Sequence, residues 1–280
     1  MTTPFEFEPL WQRVRRAEGH RNTLVDEWNA FLEDEPYGAR VHVDADGRGG
    51  IEIYRVRIPP TWALYLGEML YQLRATLDGL IYTTVVIETG QDPPPNEDRL
   101  EFPIAADANA FKRVGWKMGP LTNERRRLIE LVQPYNAQRM DPDMRFVNES
   151  LGILNDWARK DRHRMLHVVG SRAAGRTPIL CLPVGVELLS MEVGSEGFFL
   201  DDDHEVATFA LSGWSEGMEI YANPNVMIDI AVNEPPPPKD DWDIFSRRVD
   251  LMVESVKTVV NTLGATFGHD APQRFQQPPG

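Results

Sequence analysis

From Trp62 to about Ile87, Leu66, Leu70, Leu73, Leu77, Leu80, Ile81 and Thr84 recur at three- and four-residue steps. The period is that of an α-helix with one broad apolar face. A stripe of that length gains its stability from being covered, because isolated helices are marginal in water. The chain is therefore expected to build a helical core around this segment. Gly67, Tyr71, Arg74, Asp78 and Tyr82 lie along the edge of the stripe.

Other segments supply the cover. Residues 5–34 carry Phe7, Leu10, Trp11, Val14, Leu24, Trp28 and Phe31 at helical steps and stop at Pro36-Tyr37-Gly38. Phe111 to about Val132 reads as two short helices broken at Gly119-Pro120 and halted by Gln133-Pro134-Tyr135-Asn136. Asn148 to Val169 reads as another long helix, with Leu151, Leu154, Trp157, Ala158, Asp161 and Met165 on its stripe. Between the first two helices, alternation from Arg40 to Val43 and Ile51 to Ile58, about an Asp46-Gly47 turn, predicts a β-hairpin at about 39–58.

From about Thr177 the texture becomes β-rich. Ile179–Val186, Leu188–Val193, Phe198–Leu200, Glu205–Leu211, Glu219–Ala222 and Val226–Val232 are short strand-like runs punctuated by Gly, Pro, Asn and Asp. They predict a small antiparallel sheet or half-barrel. Pro235 to Pro238 forms a stiff spacer, Asp240-Asp241 caps a last helix through Phe245, Val249, Met252, Val256, Val260 and Leu263, and the tail follows. The expected fold class is α+β: a helical bundle core with an inserted β-hairpin and a C-terminal antiparallel β-rich part closed by a helix. The expected division is a helical domain at 1–170, a β-rich part with its helix at 171–264, and a flexible tail at 265–280.

Apolar content of 42% and charged content of 26% are those of a globular chain, and no apolar run approaches a membrane span. The acidic start, Met-Thr-Thr-Pro-Phe-Glu-Phe-Glu, is unlike a secretory leader. A single cysteine, Cys181, excludes an internal disulfide and reads as a small buried hydrophobe within Pro178–Pro183. A cytoplasmic location without membrane partners is expected. The net charge of −14 repels nucleic acid at long range, yet basic residues are concentrated. Lys112, Arg113, Lys117, Arg125, Arg126 and Arg127 stand against Glu124 alone, and Arg159, Lys160, Arg162, Arg164, Arg172 and Arg176 against Asp161 alone. Two such clusters can line a basic cleft in an acidic body.

The chemistry-bearing residues gather at Asp161-Arg162-His163-Arg164-Met165-Leu166-His167. Histidine exchanges protons near neutral pH, and arginine holds phosphate bidentately. His163 and His167 stand at i and i+4 of the expected helix. Asp161 falls on the apolar stripe, where a carboxylate needs a partner, and Arg74 on the earlier helix is the expected one. The same two histidines could take zinc. Arg162 and Arg164 oppose that by repelling a cation, so no metal or cofactor is expected. His20, His42, His204 and His269 read as ordinary surface or hydrogen-bonded residues.

Leu66-Gly67-Glu68, Leu73-Arg74-Ala75-Thr76-Leu77-Asp78, Phe102-Pro103-Ile104, Gln133-Pro134-Tyr135 and Asp161–His167 together resemble the pattern of a bacterial protein family of about this size, over roughly residues 10–170. That family is distantly similar to HEPN-type helical proteins, many of which are metal-independent RNases with Arg, four to six residues, then His. Arg162 and His167 have that spacing, although the family usually has lysine at 162. Family members commonly carry histidine where Gly79 stands here.

The resemblance implies an RNA-directed protein, binding or cleaving RNA in a defence or stress role, as a homodimer. In a cleaving version His163 or His167 removes the 2′-OH proton, Arg162 or Arg74 stabilises the phosphate charge, and Asp161 or Asp78 orients a base or an arginine. The alternative is a non-catalytic binding or scaffolding module that dimerises through its helices. The glycine at 79 favours it. Six residues are thus expected to converge: Arg74, Asp78, Asp161, Arg162, His163 and His167.

Overall fold

Six α-helices and eight β-strands are seen in a computed structural model, which describes residues 7–34, 38–54, 57–163, 168–175, 177–194, 203–223, 226–232 and 245–268. The helices are α1 (Glu8–Glu33), α2 (Thr61–Thr89), α3 (Ala108–Val114), α4 (Asn123–Leu131), α5 (Pro142–His163) and α6 (Phe245–Ala265). The strands are β1 (Ala39–Val43), β2 (Arg48–Ile53), β3 (Val168–Gly175), β4 (Ile179–Cys181), β5 (Glu187–Val193), β6 (His204–Ser212), β7 (Tyr221–Asn223) and β8 (Val226–Val232). The α+β class expected from the sequence is what the chain adopts. The expected strand at 198–200, the spacer at 235–238 and the tail from 269 lie outside the described residues.

The chain divides into two units. Residues 1–24, 64–165 and 248–280 form a helical unit, and 25–63 with 166–247 form a β unit. A division near residue 170 was expected, whereas each of these units draws on several segments. The hairpin belongs with the C-terminal strands, in one antiparallel sheet of order β1-β2-β6-β5, and most of α6 belongs with the helices. Neither regrouping is local in sequence, which is why a run-by-run reading misses it.

In the helical unit, the predicted stripe of α2 is buried: Leu66, Leu70, Leu73, Leu77, Leu80, Ile81 and Thr84 are all inaccessible. Buried Leu10, Trp11 and Val14 of α1, Leu151, Leu154 and Trp157 of α5, and Val249, Met252, Val256, Val260 and Leu263 of α6 complete this core. Lys257 of α6 lies between Glu18 of α1 (2.5 Å) and Glu254 (2.8 Å), and Arg21 reaches Asp250 at 3.1 Å. The first residues expected in the tail are held too. Arg125 donates from Nε to Thr266 Oγ1 at 3.2 Å, and its guanidinium lies 3.7 Å from the Phe267 ring centre.

Helix α5 differs from expectation at both ends. It starts six residues early because Pro142 occupies its first turn, where a missing N–H costs nothing. It is described as far as His163, and Val168–Gly175 runs as β3 against β8 where its expected last residues fall. The β-branched pair Val168-Val169 and the partner strand together overrule the helical period.

In the β unit, Ile51, Ile53, Val206, Ala207, Phe209 and Leu211 are the buried centre, with Val41, Val43, Leu180, Met191 and Trp214 against them. The hairpin turn is closed by Asp44 Oδ1, which accepts from the N–H groups of Asp46 and Arg48 at 2.9 Å each. Gly47 sits there at φ 79°, a conformation that glycine adopts without a Cβ penalty. Its carbonyl accepts from Leu211 N at 2.8 Å, tying the turn to β6. Cys181 is exposed, against the expected burial. In β4, Leu180 turns inward, so its neighbours Ile179 and Cys181 point out.

Candidate functional site

Arg74 and Asp78 stand one turn apart on α2, and both act on the backbone of one extended segment. Arg74 is 8% exposed. Its Nη2 donates to Glu101 Oε1 at 2.9 Å and to the Phe102 carbonyl at 2.6 Å, and lies 3.0 Å from Asp78 Oδ1. The same Asp78 oxygen accepts from Phe102 N at 3.0 Å. Lys117 pairs with the other oxygen of Glu101. Buried Gln133 continues the arrangement: its amide donates to the carbonyls of Pro103 and Ile129, and its Oε1 accepts from Ala105 N, each at 2.9 Å. Asn148 in turn holds the Leu131 and Gln133 carbonyls at 2.7 and 2.8 Å.

These contacts give the motif segments a physical meaning. The stretch from Phe102 to Ala105 belongs to no helix or strand, so its buried N–H and C=O groups need side-chain partners. Arg74, Asp78 and Gln133 supply them. Burial pushes the Asp78 carboxyl above the usual range, in spite of the Arg74 charge and the Phe102 N–H. Burial acts on Glu101 in the same direction, but Lys117 and Arg74 outweigh it and hold that carboxyl below its ordinary value.

Asp161 and Arg162 lie elsewhere on the helical unit. Asp161 faces α2 at Gly67, where a Cβ would fall 2.7 Å from Asp161 Oδ2. Gly67 precedes Arg74 by seven residues, about 10 Å of helix rise. The expected Arg74–Asp161 bridge is therefore not formed, and Arg74 spends its charge on Asp78 and Glu101. Arg162 is exposed in the last turn of α5. That helix is described as far as His163. The His163 side chain and the whole of His167 lie outside the described residues. Among the described residues of the six, Arg74 and Asp78 are brought into contact, and Asp161 and Arg162 are not seen to join them. At Gly79, a Cβ would lie 2.9 Å from Leu10 Cδ2, so the missing side chain lets α1 come close to α2.

The two basic clusters fare differently from their sequence appearance. Arg159 and Lys160 both pair with Asp156, at 2.9 and 2.7 Å. Lys117 is held by Glu101, and Arg125 by Glu88 at 3.1 Å. Arg126 donates to the carbonyls of Leu121, Gly115 and Gly119, pinning α4 to the turn after α3. Lys112, Arg113 and Arg127 are exposed and make no ion pair among the described residues. Trp116, which follows Arg113 by three residues, is 58% exposed in the single 3₁₀ turn after α3. Lys117 Nζ lies 5.9 Å from its ring centre. Sequence reasoning missed Trp116. The string Lys112-Arg113-Val114-Gly115-Trp116-Lys117 contained the signal, since residues three and four apart share a helical face.

No protein-family model, curated protein or solved structure matches the chain. Among the described residues, no three or more His, Cys, Asp or Glu side chains are grouped to hold a metal ion, and no helix is long and apolar enough to cross a membrane. His20 and His42 sit beside Glu68 (3.1 Å) and Glu205 (3.8 Å), respectively.

Proposed function

We propose that this chain binds single-stranded RNA without cleaving it, in the defence or stress role implied by the HEPN-like resemblance. The observation that carries the reading is the exposed indole of Trp116, three and four residues along the chain from the exposed Arg113 and Lys112. An aromatic platform for a base, flanked by cations for the adjacent phosphates, is how proteins hold single strands with little sequence preference. A chain of net charge −14 gains such binding only where its cations are left unneutralised, as they are at this patch. The non-catalytic part rests on Arg74 and Asp78, whose polar atoms serve the Phe102 backbone.

Fluorescence anisotropy with a labelled, unstructured RNA tests binding. Trp116→Ala is expected to weaken it by about 1–3 kcal/mol, the usual worth of one base stack. Lys112→Glu/Arg113→Glu should weaken it further and flatten the salt dependence. Equal affinity for all three proteins would remove the patch from the function. Incubation of the same RNA in EDTA tests cleavage. Cutting by the parent protein that a His163→Ala/His167→Ala variant lacks would replace binding with catalysis.

A further inference from the structure

Strand β5 is an outer strand of the β1-β2-β6-β5 sheet, and among the described residues no strand pairs with its far side. Such an edge carries a row of N–H and C=O groups open to another strand. Its side chains divide between two faces. Leu188, Met191 and Val193 stand opposite the buried Leu211, Phe209 and Ala207 of β6, so they carry the apolar layer of the sheet to its rim. There the cover runs out. Met191 is half-buried, but Leu188 and Val193 are 44% and 42% exposed. Leu189, 65% exposed, has no opposite residue where the register slips. Glu187, Ser190 and Glu192 take the other face, the two glutamates exposed and without an ion pair among the described residues.

Charge decides what can occupy this edge. Between Arg176 and Lys239 the chain has eleven carboxylates and no lysine or arginine. Like charges opposed across two strands are destabilising. A second copy would set the glutamates of two β5 strands along one seam with no cation between them, so self-pairing is disfavoured. A strand that alternates apolar residues with lysine or arginine meets both faces of β5. Its apolar side chains would cover Leu188, Met191 and Val193, and its cations would stand beside Glu187 and Glu192. In strand addition the main-chain hydrogen bonds supply affinity and the alternate side chains supply selection. We propose that β5 docks an extended basic segment of a partner protein in this way. The site shares no residue with the RNA patch, and either can fail without the other.

A labelled octapeptide of alternating lysine and valine tests it on the full chain, by fluorescence polarisation and by hydrogen exchange of the β5 amides. The peptide should bind saturably and slow exchange in β5. Replacing its lysines by glutamate, its valines by serine, or one central valine by proline should each weaken binding by about tenfold or more. Glu187→Lys/Glu192→Lys, at two exposed positions, should weaken the lysine peptide by about tenfold and confer binding of the glutamate peptide. Loss of folding alone would not give that exchange of preference. The proposal is overturned if the serine or proline peptide matches the parent peptide, if charge reversal changes neither affinity, or if β5 exchanges alike with and without peptide. Protection of β5 that rises with protein concentration in the absence of peptide would assign the edge to a second copy and overturn it as well.

Discussion

Arg74 shares one nitrogen among two carboxylates and a main-chain oxygen, and that sharing sets the cost of replacing it. Arg74→Met would leave Asp78 and the Phe102 carbonyl without their cation, and Glu101 with Lys117 alone. Breaking a fully buried pair from one side costs about 3–5 kcal/mol. Asp78 and Glu101 keep a third or more of their side chains exposed, so denaturant unfolding should register a smaller loss, about 1–3 kcal/mol. A residue used only in catalysis would show loss of activity with unchanged stability. At Tyr135 the test is titration. Burial first, then the Glu130 charge and hydrogen bond, push its phenol up to about 12. An unfolded tyrosine ionises near pH 10, so the unfolded chain releases this proton first. Stability should fall as pH rises from about 10 to about 12. Tyr135→Phe should remove both that slope and the highest step of a phenolate absorbance titration. The i, i+4 spacing of Arg74 and Asp78 was legible in the sequence. Their targets were not, since Glu101 and Phe102 are 27 and 28 residues from Arg74, across a loop with no period.

Secondary structure was readable wherever one periodicity ran long enough. The stripe of α2, the break between α3 and α4 and the strand at Val226–Val232 fall where expected. Boundaries failed where a tertiary partner decided, as at β3, or where proline served as a start signal, as at Pro142. Strand β2 offers an element-scale test in its two adjacent glycines. A Cβ at Gly49 would collide with the His42 carbonyl oxygen, part of the β1 backbone, and with the Phe209 ring. A Cβ at Gly50 would meet the tips of the His42 and Glu205 side chains, which can swing aside. Gly49→Ala should therefore cost at least about 2 kcal/mol through strain in the sheet, and Gly50→Ala much less. Thermal unfolding followed by circular dichroism distinguishes them, and equal losses would mean that the hairpin backbone gives way easily.

The chain as a whole is interleaved, each unit being assembled from distant segments. Composition and local pattern revealed the α+β class, but not that hairpin and C-terminal strands share a sheet, because pairing across 150 residues leaves no local trace. The helical unit depends on α6, where Val249, Met252, Val253, Val256, Val259, Val260 and Leu263 are all buried. At about 1.5–3 kcal/mol for each large apolar side chain, this helix contributes as much as the net stability of about 5–15 kcal/mol typical of a domain. Val256→Asp should abolish the cooperative loss of helical signal on heating, and retention of that transition would show that the bundle closes without α6.

That dependence also orders events on the ribosome. The helix that completes the bundle is translated after every strand of the other unit, so the nascent α1, α2 and α5 must wait with their leucine faces uncovered. Chaperones that recognise such faces should find this polypeptide a long-lived client during its synthesis.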